Sequence, residues 1–280
     1  MKLFKAGLIY DGTGSEPFRG DILVDNDKII NVAEDIQLQE EWEVVDIEGL
    51  SVSSGFIDAH SHNDWFAIKK DTCKYFEPFI RQGITSFITG NCGLSAVGFE
   101  SQTKHLDKVG GGLFSFKDTT GVYPSVSEFF SAIDGNIPCN IAVLAGHCSA
   151  RSSVAGYENR PLNADESKRM LDIMENALKE GACGLSLGLM YEPGIYAGIE
   201  ELKEVARLCE KYDRPMTVHP RACSAVSMTY PLLGRPHLLR ALDELATIAD
   251  GTHMKLHYSH AIFVGRRSFR CKDELMRILH

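Results

Sequence analysis

Six places in the sequence set metal-binding or proton-carrying side chains just behind a short apolar run. His60-Ser61-His62 follows Gly55-Phe56-Ile57-Asp58-Ala59, and Asn91-Cys92 closes the run 83–91. His147 closes 140–147, Tyr191 follows 182–189, His219 and Arg221 close 215–221, and His260 closes 254–260. In a strand, residues i and i+2 face one side, so the imidazoles of His60 and His62 point together and can grip one divalent cation. Asp58 shares their face, either as a further ligand or hydrogen-bond partner or as a turn cap.

These runs must be positioned by what lies between them. Met170, Ile173, Met174, Ala177 and Leu178 recur near helical spacing within 164–181, with Gly181 as a stop. Residues 200–212 and 238–249 repeat the pattern. Alternating strand and helix implies a parallel sheet with right-handed crossovers. Chemistry at six strand ends favours an α/β fold of the TIM-like (β/α) barrel type, where several strands feed one pocket. A doubly wound sheet would gather its contacts near one switch point. After His260 only one further helix, 273–279, is predicted, whereas a closed barrel takes eight strands. The expectation is an incomplete barrel over 51–280, about six of eight βα units, completed by a further segment or a second polypeptide. Residues 1–50 read as a small β-sandwich-like subdomain. Its strands are 3–9, 20–24, 28–32 and 44–46, with turns at Asp11-Gly12, Asp25-Asn26-Asp27 and Glu48-Gly49.

Composition narrows the partners. The 280 residues are 44% hydrophobic and 24% charged with a net charge of −9, an ordinary globular balance. The basic cluster Arg266, Arg267, Arg270 and Lys272 reads as a solvated helix start, so no nucleic-acid partner is expected. No apolar run reaches the roughly 18–20 residues of a membrane span, and no membrane partner is expected. The first residues lack the apolar core of a signal peptide, which points to the cytoplasm. None of the eight cysteines forms a Cys-x-x-Cys pair, so most are expected as reduced, buried thiols. Gly110-Gly111-Gly112 lacks the strand–Lys context of a phosphate cradle and reads as a loop.

The string Gly55-Phe56-Ile57-Asp58-Ala59-His60-Ser61-His62 resembles the first-strand signature of the amidohydrolase superfamily, whose members hold one or two metals in a distorted β/α barrel. Gly90-Asn91-Cys92-Gly93 resembles its D-aminoacylase (N-acyl-D-amino-acid deacylase) branch, in which a Cys replaces a carboxylated Lys as a metal ligand. The stretch 182–191, Val218-His219-Pro220-Arg221 and Tyr258-Ser259-His260 resemble that branch too. The resemblance implies a tight Zn²⁺ site from Cys92, His219 and His260, and a second, weaker site from His60 and His62. A thiolate with two imidazoles suits zinc and leaves a position for water. A buried, inert thiol is the other reading of Cys92. No Lys occurs between Gly181 and Ile199, unlike in hydantoinases and dihydroorotases.

The implied function is metal-dependent hydrolysis of linear amide C–N bonds, deacylating small N-acyl-D-amino acids with an activated water. Cyclic-amide hydrolysis or deamination on the same ligands is the alternative, as is an inactive truncated fragment. Tyr191 is a candidate donor to the substrate carbonyl or the developing oxyanion, or an aromatic packing residue. Arg221 is a candidate partner for a substrate carboxylate, or half of a structural ion pair. His147 lines the pocket, supports the ligands, or packs in the core. His257 is three residues before His260 and is expected to face away. His105, His237, His253 and His280 have no supporting motif. The family's general base, an Asp ending strand eight, has no counterpart here, and neither Asp58 nor Asp64 fits its position.

Overall fold

The computed structural model describes residues 1–279; His280 lies outside the described residues. The chain divides into two compact units, Met1–Phe56 and Ile57–His280.

The first unit is a five-stranded sheet of β1 (Lys2–Tyr10), β2 (Phe18–Asp25), β3 (Lys28–Ala33), β4 (Glu43–Asp46) and β5 (Ser51–Ser53). The β1–β2–β3 pairs are antiparallel, and β4 and β5 both join β1 in parallel. Ser51–Ser53 thus belongs to this unit. Leu3, Leu23 and Ile36 form its buried cluster. The carboxylate of Asp21 accepts from the backbone N–H groups of Ala6 and Ile36 and ties the strands together.

The second unit is built on a six-stranded sheet in sequential order: β6 (Phe56–Asp58), β7 (Ile84–Thr89), β8 (Asn140–Gly146), β9 (Gly184–Gly188), β10 (Met216–His219) and β11 (Leu256–Tyr258). Pairings from β7 through β11 are parallel. The helices are α1 (Asp64–Ala67), α2 (Thr72–Ile80), α3 (Val126–Ile133), α4 (His147–Ala155), α5 (Ala164–Lys179), α6 (Ile199–Lys211), α7 (His237–Ala249), α8 (Arg266–Phe269) and α9 (Lys272–Leu279). This is the strand–helix succession of a TIM-type barrel, present as an open half-barrel of six strands. Phe56 and Ile57 on the edge strand β6 are 63% and 67% exposed.

One continuous core joins sheet and helices. Phe87, Val143, Leu185, Leu187, Met216 and Val218 from the strands meet Met170 and Met174 of α5 and Leu202, Val205 and Cys209 of α6. Helix α5 starts where its sequence predicts. Asn163 accepts from the N–H of Glu166, and Glu166 accepts from the N–H of Asn163 and bidentately from Arg160. Helix α4 is a departure. It begins at His147 and is buried along its whole length, so it has no amphipathic period to read. Of the basic cluster, Arg266 and Arg267 lie in the one-turn α8, Arg270 caps its end and Lys272 opens α9. Among the described residues no helix is long and apolar enough to cross a membrane.

Candidate metal centre

The turn behind β7 is closely packed and held in left-handed backbone. Gly90 and Gly93 have φ of +76° and +74°; a Cβ would meet the Leu144 carbonyl oxygen at 2.1 Å on Gly90 and the Gly188 nitrogen at 2.7 Å on Gly93. Between them Cys92 itself takes φ 55°, and His260 takes φ 59°. A left-handed conformation costs a non-glycine residue about 1 kcal/mol or more and persists only where surrounding structure holds it. Here two such residues point at one spot.

Buried polar groups hold the turn. Asp64 is fully buried; its carboxylate accepts from the Thr89 hydroxyl (2.5 Å), the Gly90 N–H (3.3 Å) and the Ala96 N–H (2.7 Å), bracketing both ends of the Cys92 loop. Burial pushes that carboxyl up to about 6 despite these donors. Ser186 on β9 donates to the Gly90 carbonyl (2.5 Å) and accepts from the Gly93 N–H (3.0 Å). Asn91 donates to the Ile88 carbonyl and accepts from Thr217 on β10.

The result brings four donors together. The Cys92 sulfur lies 3.4 Å from His60 Nε2, 3.6 Å from His219 Nδ1 and 3.2 Å from His260 Nε2. The donors of His60, Cys92 and His260 lie within 4.8 Å of one another. Zinc bonds of about 2.3 Å to sulfur and about 2.0–2.1 Å to nitrogen, at a tetrahedral angle, separate the two atoms by about 3.5 Å. The sulfur–nitrogen spacings therefore fit a zinc ion, as does the softness of the donors, although His219 is near the sulfur without joining the group in which every donor lies within 4.8 Å of every other. Burial, reinforced by neighbouring rings, brings His60 and His219 down to about 4, and burial lowers His62 and His260 as well. All four rings are thus neutral near pH 7, the form that binds metal. Burial pushes the Cys92 thiol up to about 12, and coordination would take its proton.

His60, expected with His62 at a second site, has its Nε2 against Cys92. The strand ends at Asp58, whose carboxylate accepts from the His60 N–H and turns the chain, so the same-face rule no longer applies. His62 stands apart, its ring edge-on to His60 at 5.9 Å, beside Phe114, with a buried Nδ1 that has no partner.

The sequence profile of the amidohydrolase family matches residues 43–260. The chain belongs to the amidohydrolase family. It is 28% identical over 280 residues to the D-aminoacylase of Alcaligenes xylosoxydans xylosoxydans, covering 99% of this chain and 54% of that protein. The crystal structure of a D-aminoacylase superposes with a TM-score of 0.80 at 27% identity, over 99% of this chain and 55% of that one. N-acyl-D-glutamate deacylase from Bordetella bronchiseptica, complexed with zinc and a phosphonate inhibitor, gives 0.78 at 27% identity, over 99% and 56%. The chain spans about half the length of the curated relatives it matches.

Three further residues of this amidohydrolase-family chain were expected at the site. Tyr191 is there: its hydroxyl shares a hydrogen bond of 3.2 Å with His219 Nδ1, and the two rings lie 4.7 Å apart. Arg221 is not free to receive a carboxylate. Its Nε and Nη2 meet Glu244, and Nη1 and Nη2 donate to the carbonyls of Ile195 and Ala197. His147 does not line a pocket either. It is fully buried, with Nε2 2.8 Å from Glu201. His257 is exposed, as expected from its spacing. His237 is buried against Ser227, whose N–H it accepts. Sequence reasoning missed Asp64 and Ser186 as supports. Ser186 carried a readable signal, a polar residue inside the apolar strand Gly-Leu-Ser-Leu-Gly.

Proposed function

We propose that this chain carries the zinc centre of a hydrolase that deacylates N-acyl-D-amino acids. The observation that carries the reading is the Cys92 sulfur facing three imidazole nitrogens at 3.2–3.6 Å. Cys92, His219 and His260 hold the tight site, and His60 extends it toward His62 as a second, weaker one. Bound zinc would supply an acidified water and a Lewis acid for the amide carbonyl. Tyr191 stands beside His219 as an O–H donor for the oxygen that gains charge. Burial pushes its phenol up to about 12, so it keeps its proton at neutral pH. Asp58 caps His60 and Asp64 brackets the Cys92 loop, so neither supplies the general base. A further segment or a second polypeptide completing the barrel is part of the proposal. So is a reducing, cytoplasmic setting, in keeping with the free cysteines.

The deacylase reading is favoured over cyclic-amide chemistry by β9, which carries Ser186 and no lysine, and by the likeness to D-aminoacylase. A panel of N-acyl-D-amino acids, their L-enantiomers and cyclic amides, assayed on the chain with the rest of the barrel supplied, tests it. Turnover of the D-enantiomers is expected; turnover confined to cyclic amides or to L-enantiomers overturns it.

The supports make a separate prediction. Ser186→Ala removes both bonds that flank Cys92, and groups that orient a ligand are each worth about 10–100-fold in metal affinity. Competition against a chromophoric chelator should show zinc bound about 10–100-fold more weakly, with the unfolding free energy lowered by about 2–6 kcal/mol for the two buried groups left without this partner.

A further inference from the structure

Arg221 is 8% exposed and lies two residues beyond His219, yet its guanidinium turns away from the sulfur–imidazole cluster. Nε lies 2.9 Å from both oxygens of Glu244 on α7, Nη1 donates to the Ile195 carbonyl at 2.6 Å, and Nη2 donates to the Ala197 carbonyl at 3.1 Å. Glu244 is held in turn by the Tyr230 hydroxyl at 2.7 Å. The two carbonyls belong to the segment that follows β9. In that segment the Ile195 N–H donates to the Tyr191 carbonyl at 2.8 Å, and the Ala197 N–H donates to that of Gly194 at 3.1 Å. The Tyr191 hydroxyl meets His219 Nδ1. A closed ring of contacts therefore runs from Arg221 to Ile195, to Tyr191, to His219 and back along the chain to Arg221.

We infer that Arg221, clamped by Glu244, is a positioning residue that fixes the 191–197 segment and thereby aims the Tyr191 phenol at the His219 side of the metal centre. The inference rests on the proposed zinc site for its catalytic consequence, but the positioning itself is a property of the chain alone. Planar geometry is what the task needs. A guanidinium reaches a carboxylate and two carbonyls at once from fixed directions, and an ammonium in its place keeps the charge but cannot span all three. Beyond His219, whose ring it also packs against, the Tyr191 side chain has no tether among the described hydrogen bonds, so its placement leans on this backbone segment.

The test uses the full chain with 3-fluorotyrosine at position 191, read by ¹⁹F NMR, in the parent and in Arg221→Lys. The parent should give one resonance. Arg221→Lys should give a shifted resonance or a second one, with zinc content unchanged. In turnover by the chain with the rest of the barrel supplied, Arg221→Lys should lower kcat about ten-fold with KM changed by less than about two-fold, and add less than about two-fold in a Tyr191→Phe background. Should Arg221→Lys fail to fold, Glu244→Gln keeps the shape of the pair, loses its charge, and carries the same expectations. An unaltered resonance overturns the inference, as does a rise in KM with kcat preserved, which would mark Arg221 as a carboxylate receptor. Parent protein that binds no zinc would overturn the metal-centre reading instead, and the ¹⁹F comparison would still decide the inference.

Discussion

Cys92→Ala is expected to empty the metal centre, taking zinc from about one per chain to less than about a tenth after dialysis. The sulfur is the one donor that faces His60, His219 and His260 together, at 3.4, 3.6 and 3.2 Å. Without it three neutral rings remain, and His62 lies too far round the turn to replace the lost ligand. The loss should exceed the 100-fold upper end of what outer supports contribute, since a bond to the ion itself is removed. Unfolding of the metal-free protein should change little, because the substitution deletes a single buried atom in an otherwise retained turn. Cys148→Ala is the matched control. Its sulfur is equally buried, but it contacts the Gly188 carbonyl rather than the rings, and zinc should stay bound. Metal analysis by mass spectrometry reads both variants. Stoichiometric zinc retained in Cys92→Ala would falsify the ligand assignment.

The parts of this site that were legible in the sequence share a physical origin. In a parallel βα array every strand delivers its last residues to the same end of the sheet, so reactive residues behind β6, β7, β10 and β11 could be grouped before any coordinates. Two things were hidden. One is local backbone direction. β6 stops at Asp58 and β11 at Tyr258, both short of the histidines, so alternation no longer tells which way His60, His62 or His260 points. The other is the identity of distant partners. Arg221 and His147 looked like site residues because they stand at strand ends, yet each is claimed by a helical glutamate, Glu244 and Glu201, that no local pattern links to it. Strand-end position thus selects candidates, and a buried carboxylate partner decides which of them remain free for chemistry.

The carboxylate shared by His147 and Arg151 makes the second large prediction. Glu201→Ala should lower the unfolding free energy at pH 7 by about 3–5 kcal/mol, the cost of leaving a buried charge without its partner. Glu201 Oε1 accepts from His147 Nε2 at 2.8 Å and from Arg151 Nε at 2.9 Å, and the Arg151 side chain is fully buried. With the carboxylate gone, that guanidinium keeps only the Arg160 carbonyl, at 2.8 Å from Nη2. Burial by itself would raise the Glu201 carboxyl, but the bonds from His147 and Arg151 outweigh it and hold the carboxyl below its usual value. A carboxyl lowered in the folded state contributes stability that is present above its unfolded value, near 4.5, and is lost as pH falls through the folded one. The gap between parent and variant in urea titrations should therefore be widest at neutral pH and shrink on acidification. Glu200→Ala, one residue away on an 83% exposed side chain, should stay within about 0.5 kcal/mol of the parent. Glu201→Gln should fall between the two, since it keeps an acceptor and loses the charge. A Glu201→Ala loss below about 1 kcal/mol would mean that the guanidinium finds another partner on unpairing, and that the cluster between α4 and α6 does not hold this side of the half-barrel together.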